Sequence, residues 1–417
     1  MSFYQRVAKR YHSAVWVRFW GTTIQCITGF ALYPYIMLYM TEHLNASPVE
    51  AAGALSLPSF IAIFLRLWIG KVSDRFGRRF AMLAGLGLEF FVISGMIFAT
   101  QIWHFYALLA MNALATNLSI PAGSALIADI VPEERRAESY ALIKAGIHIG
   151  VALGPMLGIL IYSTNPKLAF MLEALAILIY LLLVYFKIPE TVPKKEKTIT
   201  TEATNISTPR LSFRFLLMQY IPLLFLILTT IPLYMLETQQ ITNIPLYLKT
   251  KFANFLVIYA TLRTINGIIT AIFQVPVARW TESWSPAQAI FIGYILFALF
   301  GFGYGLAPIF IVLIVAELLY LVGGMLVFPH QDKVISMIAP KEKRGQFFSL
   351  FEISFSAGKM TGPVIGSIFL EKYGGEYLFI GLALTLLIAG IAQFLLIRQI
   401  LSKHQQKETI ISQQANS

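Results

Sequence analysis

The sequence predicts an all-α integral membrane protein with twelve transmembrane helices in two pseudo-symmetric six-helix bundles and with both termini in the cytoplasm. The composition, a series of long apolar runs and an internal repeat lead to this prediction. Of the 417 residues, 57% are hydrophobic and 13% are charged, whereas about a quarter of the residues in soluble domains are charged. This shortage of charge excludes a water-soluble enzyme of this size, and we expect no enzymatic activity.

Apolar runs bounded by charged residues or by glycine, proline and asparagine predict where the helices lie. A helix that crosses a membrane needs about 20 residues, and each run reaches roughly that length. The predicted spans are 16–40, 52–70, 80–100, 105–129, 139–162, 168–187, 220–248, 256–278, 286–305, 309–331, 346–370 and 376–398. The first run is too long and begins too late for a cleavable signal peptide.

The placement of lysine and arginine predicts the orientation in the membrane. With the N-terminus in the cytoplasm, 25 of the 32 lysines and arginines fall in cytoplasmic segments and four fall in outer loops. The net charge of +11 therefore indicates topology and contact with anionic lipid headgroups, and we expect no nucleic acid partner. The predicted location is the cell (cytoplasmic or inner) membrane, with multiple passes.

A polar segment divides the chain into two similar halves. The predicted parts are an N-terminal six-helix bundle at 1–187, a cytoplasmic linker loop at 188–214, a C-terminal six-helix bundle at 215–400 and a cytoplasmic tail at 401–417. Seven residues recur 208 positions later, and the pairs are Pro121 and Pro329, Pro132 and Pro340, Arg136 and Arg344, Gly150 and Gly358, Gly154 and Gly362, Pro155 and Pro363, and Gly158 and Gly366. Parallel repeats of an even number of spans imply a pseudo-two-fold axis along the membrane normal.

Two local patterns carry a mechanical interpretation. The connection after the second span contains Gly70, Asp74, Arg75, Gly77, Arg78 and Arg79. Its carboxylate and guanidinium groups are able to form charge-assisted bonds that hold one conformation closed, and a solvated basic turn that only sets topology is the alternative.

The fifth span carries glycines four residues apart on one face, which lets another helix backbone approach, and a proline that permits a bend. These residues are Gly146, Gly150, Gly154, Pro155 and Gly158, and an ordinary packing face is the alternative.

These motifs make the chain similar to the major facilitator superfamily, and most similar to its twelve-helix drug:proton antiporter branch. The turn at 70–79 resembles the superfamily signature, and the fifth span resembles the antiporter signature. Asp129, followed by Pro132 and Arg136, resembles the segment that this turn engages. One departure concerns proton coupling, because the arginine that the family usually places in the fourth span is Leu109 here.

The resemblance implies a secondary transporter that works by alternating access. It would export amphipathic small molecules, as in multidrug efflux, in exchange for protons that flow inward. The alternative is a sugar, metabolite or lipid-intermediate transporter of the same fold, with an uncoupled facilitator among the options. The expected partners are a small-molecule substrate, protons and membrane lipid, and the expected state is a monomer. A single cysteine, Cys26, leaves no disulfide framework, and the six histidines show no pairing for a metal, so we expect no metal and no cofactor.

Ionisable residues inside predicted spans are the candidates for the proton and substrate cavity, because burying a charge is costly unless it is paired or hydrated. Glu237 is the first candidate and Glu317 the second, with Lys359 as a partner for either, in a proton-exchanging pair or a static salt bridge. Arg263 is a further cation, which would also be able to reach outward along its span. The polar cavity candidates beside them are Tyr234, Gln240, Asn243, Asn112, Tyr33 and Gln25.

Other charged residues in the predicted spans are expected to have conformational or structural roles. Arg66 and Glu352 lie near the cytoplasmic face and are predicted to form a gate pair. Glu89 and Glu173 lie on the outer spans three and six, where we expect structural roles. A membrane sensor would need a folded soluble domain and a membrane enzyme would need clustered reactive residues, and neither is evident in the sequence.

Overall fold

The part of the chain that the structure describes is helical throughout. The computed structural model describes residues 11–190, 213–306, 309–339 and 344–415. Within these ranges the helices are α1 Ser13–His43, α2 Pro48–Phe76, α3 Arg78–Ile97, α4 Ile102–Ile130, α5 Glu133–Thr164, α6 Lys167–Lys187, α7 Phe213–Gln239, α8 Asn243–Lys251, α9 Phe255–Trp280, α10 Pro286–Leu306, α11 Phe310–Ile338, α12 Arg344–Tyr373 and α13 Gly375–Ala415. Ten of them contain a stretch that is long and apolar enough to cross a membrane. The prediction of an all-helical, multi-pass membrane protein is confirmed.

The predicted seventh span, 220–248, is wrong as a single helix. The chain leaves α7 after Gln239 and begins the short helix α8 at Asn243. Pro245 suits the start of a new helix, because proline has no backbone N–H to donate to a preceding turn. Pro245 is the third residue of α8. The first four N–H groups of a helix have no hydrogen-bond partner within it, so a proline at this position removes no helical hydrogen bond.

Contacts divide the chain into two compact units. The first consists of Met1–Lys197, Gln239–Ala271 and Pro363–Glu371, and the second consists of Thr198–Thr238, Ile272–Gly362 and Lys372–Ser417. In the first unit α1 packs on α5 and α6, and α3 packs on α4 and α6. In the second unit α10 packs on α11 and α13.

The glycine face of α5 lies directly against the backbone of α1. A Cβ atom on Gly150 would lie 2.7 Å from the backbone carbon of Cys26, and one on Gly158 would lie 2.7 Å from the carbonyl oxygen of Ala31. Gly146 and Gly154 make similarly close approaches to α1. Beside this face the hydroxyl of Tyr35 donates a hydrogen bond of 3.1 Å to the carbonyl of Pro155. Any side chain on this face would push the two helices apart.

Candidate functional site

The second compact unit brings a glutamate and a lysine from two helices together. Glu237 on α7 and Lys359 on α12 lie within electrostatic range of each other. The Glu237 Oε2 atom is buried and has no hydrogen-bond partner among the described residues. Burial favours the neutral acid, whereas a nearby ammonium group favours the carboxylate. Each of the two groups therefore influences the charge state of the other.

Aromatic rings surround this pair on one side. The ring of Tyr234 stacks on Phe328 with centroids 6.2 Å apart and meets Phe355 edge to face at 5.2 Å. The Nζ atom of Lys359 lies 4.3 Å from the centroid of Phe355, within the range of a cation–π interaction. These five residues, Tyr234, Glu237, Phe328, Phe355 and Lys359, form what we call the aromatic–ionic cluster.

Small residues on α12 explain how the sequence builds this cluster. A Cβ atom on Gly358 would lie 2.9 Å from the carbonyl carbon of Tyr234, and one on Gly362 would lie 2.9 Å from the Cα atom of Met235. The backbones of α7 and α12 are therefore in contact along this glycine face. Because Lys359 follows Gly358 directly, this contact carries its ammonium group to the level of Tyr234 and Glu237.

In the first unit, polar residues lie at the break between α7 and α8. Asn243 donates from Nδ2 to Gln239 Oε1 at 2.6 Å, and its Oδ1 accepts from the hydroxyl of Ser367 at 2.7 Å. These side chains are buried and their hydrogen bonds connect α12 to the start of α8. The bonds indicate a structural contribution from Asn243 in addition to the substrate contact that the sequence predicts.

Gln240 differs from its polar neighbours. It is 4% exposed, and neither its amide oxygen nor its amide nitrogen has a hydrogen-bond partner among the described residues. Its backbone carbonyl accepts from the hydroxyl of Tyr259 at 2.8 Å, and the guanidinium carbon of Arg263 lies 6.0 Å from the centre of the Tyr259 ring. A buried amide without a partner is costly, so its two polar atoms are able to bind a hydrogen-bonding solute.

The polar candidates of the first half lie together around α1. Gln25 donates to Glu89 on α3 at 3.0 Å, and Asn112 hydrogen-bonds to Tyr33. Tyr33 lies within electrostatic range of Glu89 and Glu173. The predicted lining residues therefore face two acids that the sequence assigned to structural roles.

Glu317 and Glu352 occupy different surroundings. Glu317 is fully buried on α11 and accepts from the hydroxyl of Tyr304 on α10 at 2.8 Å. Glu352 is exposed on α12 and acts electrostatically on Lys359. Arg66, its predicted gate partner, falls among residues 66–75, whose side chains are outside the described part. The predictions for Gly70, Asp74 and Arg75 fall outside it for the same reason.

The predicted connection 70–79 is mostly helical, because α2 extends to Phe76 and α3 begins at Arg78. The start of α3 is tied to α4 and to the end of α6. Arg78 Nε and Asp129 Oδ2 form a salt bridge of 3.1 Å. The backbone N–H groups of Arg79 and Phe80 donate to the carboxylate of Glu190 at 3.1 and 3.2 Å. Glu190 thus binds the N-terminus of α3, where backbone donors lack helical partners and the helix dipole favours an anion. Sequence reasoning missed Glu190, because one acid after a span carries no periodic signal.

Gly77→Ala is expected to lower the free energy of unfolding by about 1–3 kcal/mol, the cost of a residue held in a backbone region open only to glycine. Gly77 has φ 98° and ψ 159°, and a new Cβ atom would lie 2.7 Å from Cδ of Glu190. Thermal unfolding of the purified protein in detergent measures the effect. Gly87→Ala on the same helix is the control, since its Cβ atom would make an ordinary contact of 3.6 Å with Leu181. Equal unfolding temperatures for the two variants would contradict the prediction.

Comparison with known proteins identifies relatives along nearly the whole chain. The family model described as Major Facilitator Superfamily matches residues 19–262 and 240–414. An uncharacterized MFS-type transporter, YhjO, of Bacillus subtilis (strain 168) is 33% identical over 392 residues, with 94% of this chain and 95% of the relative covered.

Two relatives with functional names are more distant. A Na(+), Li(+), K(+)/H(+) antiporter of Planococcus maritimus is 24% identical, covering 85% of this chain and 89% of its own. The class B tetracycline resistance protein of Escherichia coli is 24% identical, with coverages of 80% and 83%. A crystal structure of peptide transporter POT superposes with a TM-score of 0.77 at 16% identity, covering 93% of this chain and 94% of that one, and this likeness concerns the fold alone.

Proposed function

Because the chain belongs to the Major Facilitator Superfamily, we propose that it is a drug:proton antiporter of the cell membrane that exports amphipathic small molecules by alternating access. The observation that carries this proposal is the aromatic–ionic cluster. Its rings offer flat apolar surfaces to a ligand, and its carboxylate offers a charge that a proton is able to cancel. The names of the antiporter and of the tetracycline resistance protein support the same class.

Competition at Glu237 accounts for exchange. When Glu237 is ionised, its carboxylate attracts Lys359 and the polar part of a substrate. When Glu237 takes up a proton, this attraction ends and the substrate is released. Since proton and substrate favour opposite charge states of one group, their binding is linked with opposite sign, which is the thermodynamic requirement for antiport.

The proposed topology has twelve spans with both termini in the cytoplasm. The halves 1–187 and 215–400 are proposed to be repeats related by a pseudo-two-fold axis, joined by the loop 188–214 and followed by the tail 401–417. The packing of the α5 glycines on α1 and of the α12 glycines on α7 supports this relation. The salt bridge between Arg78 and Asp129 supports a conformational role for the turn at 70–79.

A second candidate function is transport of a neutral polar solute such as a sugar or metabolite, with or without a proton. The buried amide of Gln240, which has no partner among the described residues, favours this candidate, because hydroxyl groups both donate to and accept from an amide. The two candidates predict different substrates but the same fold.

Everted membrane vesicles test the proposal. Vesicles from cells that express the chain are energised to generate an inward-acid pH gradient, and uptake of ethidium is followed by fluorescence. We expect the vesicles to take up ethidium and to stop when nigericin collapses the pH gradient. Vesicles from cells that do not express the chain give the background uptake. Uptake indifferent to nigericin would contradict proton coupling. A panel of dyes, antibiotics and labelled sugars in the same vesicles separates the first candidate from the second.

Alternating access predicts that a cross-link between α1 and α8 stops transport. Lys249 Nζ and Glu42 Oε1 are 2.5 Å apart, and Tyr162 donates to the other oxygen of Glu42 at 2.8 Å. The contact joins the two halves of the sequence within the first compact unit. In a Cys26→Ala background, Glu42→Cys with Lys249→Cys should lose transport after treatment with a cleavable thiol cross-linker and regain it after cleavage.

The two single-cysteine variants are the controls for the cross-link and should be unaffected by the reagent. Full transport by the cross-linked double variant would show that this contact need not open. Because the ion pair is partly exposed, its own contribution to stability is small, so the loss would report blocked motion and not unfolding.

A further inference from the structure

Two buried acids, one on α3 and one on α6, bind the same face of the first helix. Glu89 on α3 is 3% exposed and Glu173 on α6 is 1% exposed. Gln25 donates to Glu89 at 3.0 Å, and the hydroxyl of Thr28 donates to Glu173. Gln25 and Thr28 are three residues apart and therefore lie on one face of α1. The two acids thus bind neighbouring turns of the same helix.

Neither acid forms a salt bridge with any described side chain. Their hydrogen-bond donors on α1 are neutral, and Glu89 acts electrostatically on Glu173. Two unpaired carboxylates that are both removed from water are costly, and both burial and mutual repulsion favour a neutral acid. One bound proton would remove the repulsion and turn an acceptor into a donor.

A second observation indicates a missing donor at the same place. Asn112 on α4 is 7% exposed, and it hydrogen-bonds to Tyr33, which faces both acids. Its Oδ1 atom is buried and has no hydrogen-bond partner among the described residues. A carboxylic acid O–H is a donor of the kind that this oxygen lacks. Glu173 and Tyr33 both lie next to Gly29 of α1, since a Cβ atom on Gly29 would lie 3.5 Å from Glu173 Oε1 and 3.4 Å from the ring of Tyr33.

The remaining titratable and charged groups around the pair are few. On α1 they are Arg18, Cys26 and Tyr33, and on α6 the group is Tyr180. Arg18 donates to the hydroxyl of Tyr180 at 2.6 Å, and no salt bridge among the described residues joins it to either carboxylate. The residue that faces the pair from α4 is the neutral Asn112. The described residues contain no group of three histidines, cysteines or acids that is able to hold a metal ion.

We propose that Glu89 and Glu173 form a second proton-binding site, in the first half of the chain, which takes up and releases a proton as α1 moves. The proton adds to a carboxylate oxygen on uptake and leaves from the same carboxyl group on release, so no other reactant is needed. This inference rests on the proposed proton-coupled function. It adds a proton site to the N-terminal half, in which Leu109 stands where the family usually has an arginine. Because Gln25 and Thr28 hold the acids, the charge of the pair sets how firmly α3 and α6 bind α1.

Infrared difference spectroscopy tests the site directly. The full chain is reconstituted in lipid nanodiscs, and the C=O stretch of protonated carboxylic acids is recorded as a function of pH for the wild type, Glu89→Gln, Glu173→Gln and the double variant. We expect the wild type to show a titrating carboxylic-acid band that the double variant lacks. Glu50→Gln, at an exposed carboxylate near the start of α2, is the control and should keep the band that the double variant lacks. Absence of any band difference would overturn the proposal.

Tyr33→Phe provides a variant that keeps both acids. Removing its hydroxyl should shift the pH midpoint of the same band, even if a glutamine variant fails to fold. Replacing potassium with sodium in the buffer should leave the band unchanged; its loss in sodium would indicate a metal cation instead of a proton and would also overturn the proposal.

Transport separates this inference from the proposed function. In everted vesicles, Glu173→Gln is expected to lose the stimulation by the pH gradient while uptake down a substrate gradient persists. If the wild type itself ignores the pH gradient, the proposed function fails, and the infrared band still decides the proton site. In a further outcome, uptake by the wild type is driven by the pH gradient while Glu89→Gln and Glu173→Gln match it in both vesicle uptake and the infrared titration. That outcome refutes the second proton site and leaves the proposed function standing.

Discussion

Glu237→Gln is expected to abolish transport driven by the pH gradient while leaving the protein folded. Glutamine has the shape of the protonated acid but is unable to lose the charge-carrying proton, so the exchange step at the aromatic–ionic cluster has no ionised state. Uptake of ethidium into energised everted vesicles measures the loss. Substrate counterflow without a pH gradient should persist, because it requires the substrate site and the conformational change but no proton.

Glu317→Gln is the matched comparison, since it replaces a second buried glutamate in the same unit. Glu317 accepts from Tyr304, whereas the acids that act on Lys359 are Glu237 and Glu352. We therefore expect Glu317→Gln to keep gradient-driven uptake. Loss of uptake in Glu317→Gln with full uptake in Glu237→Gln would transfer the proton site to α11 and contradict the assignment.

The sequence predicts the membrane fold well, because the hydropathy of a segment indicates whether it lies in lipid or in water. Apolar runs bounded by charges marked the long helices, and the resemblance in the turn and in the fifth span led to the family that the comparison supports. The break between α7 and α8 was missed although its signal, Pro245, was present. The residues from Gln239 to Asn243 at the break are mostly polar, and the predicted span runs across them to the apolar residues that follow.

The partner of Lys359 was left open by the sequence, because pairing depends on which helix faces α12. The glycines at 358 and 362 were recognised as a weaker copy of the fifth-span pattern, but spacing alone does not name the facing helix. In the structure they face Tyr234 and Met235 on α7. Glu237 is thereby brought within range of Lys359, which Glu352 on α12 also reaches.

The acids at 89 and 173 show a different limit of sequence reasoning. Each was placed on an outer span and given a structural role, because a single acid in an apolar run does not reveal its neighbours. Packing of α3 on α6 brings the two acids to one face of α1, and such long-range proximity has no local pattern in the sequence.

Gly154→Val is expected to cause the largest loss of folded protein. A Cβ atom on Gly154 would lie 2.8 Å from the carbonyl oxygen of Ile27 and 2.9 Å from the backbone carbon of Phe30. These are backbone atoms of α1 that no side-chain rotation is able to move. Overpacking of this kind lowers the free energy of unfolding by about 1–3 kcal/mol when the neighbours adjust. Because the backbone of α1 is rigid here, we expect the loss for Gly154→Val to reach or exceed the upper end of that range. The yield of monodisperse protein in detergent and its unfolding temperature measure the effect.

Gly381→Val on α13 is the matched control, because a Cβ atom there would meet nothing within 4 Å. It makes the same change in helix propensity without the contact, so equal unfolding temperatures for the two valine variants would contradict the packing argument. Gly154→Ala should fall between wild type and valine, since it adds the Cβ atom alone. The consequence extends beyond stability, because α1 also carries Gln25 and Thr28. Displacing α1 from α5 would move both donors relative to Glu89 and Glu173, so any folded Gly154→Ala protein should also show an altered pH dependence of transport.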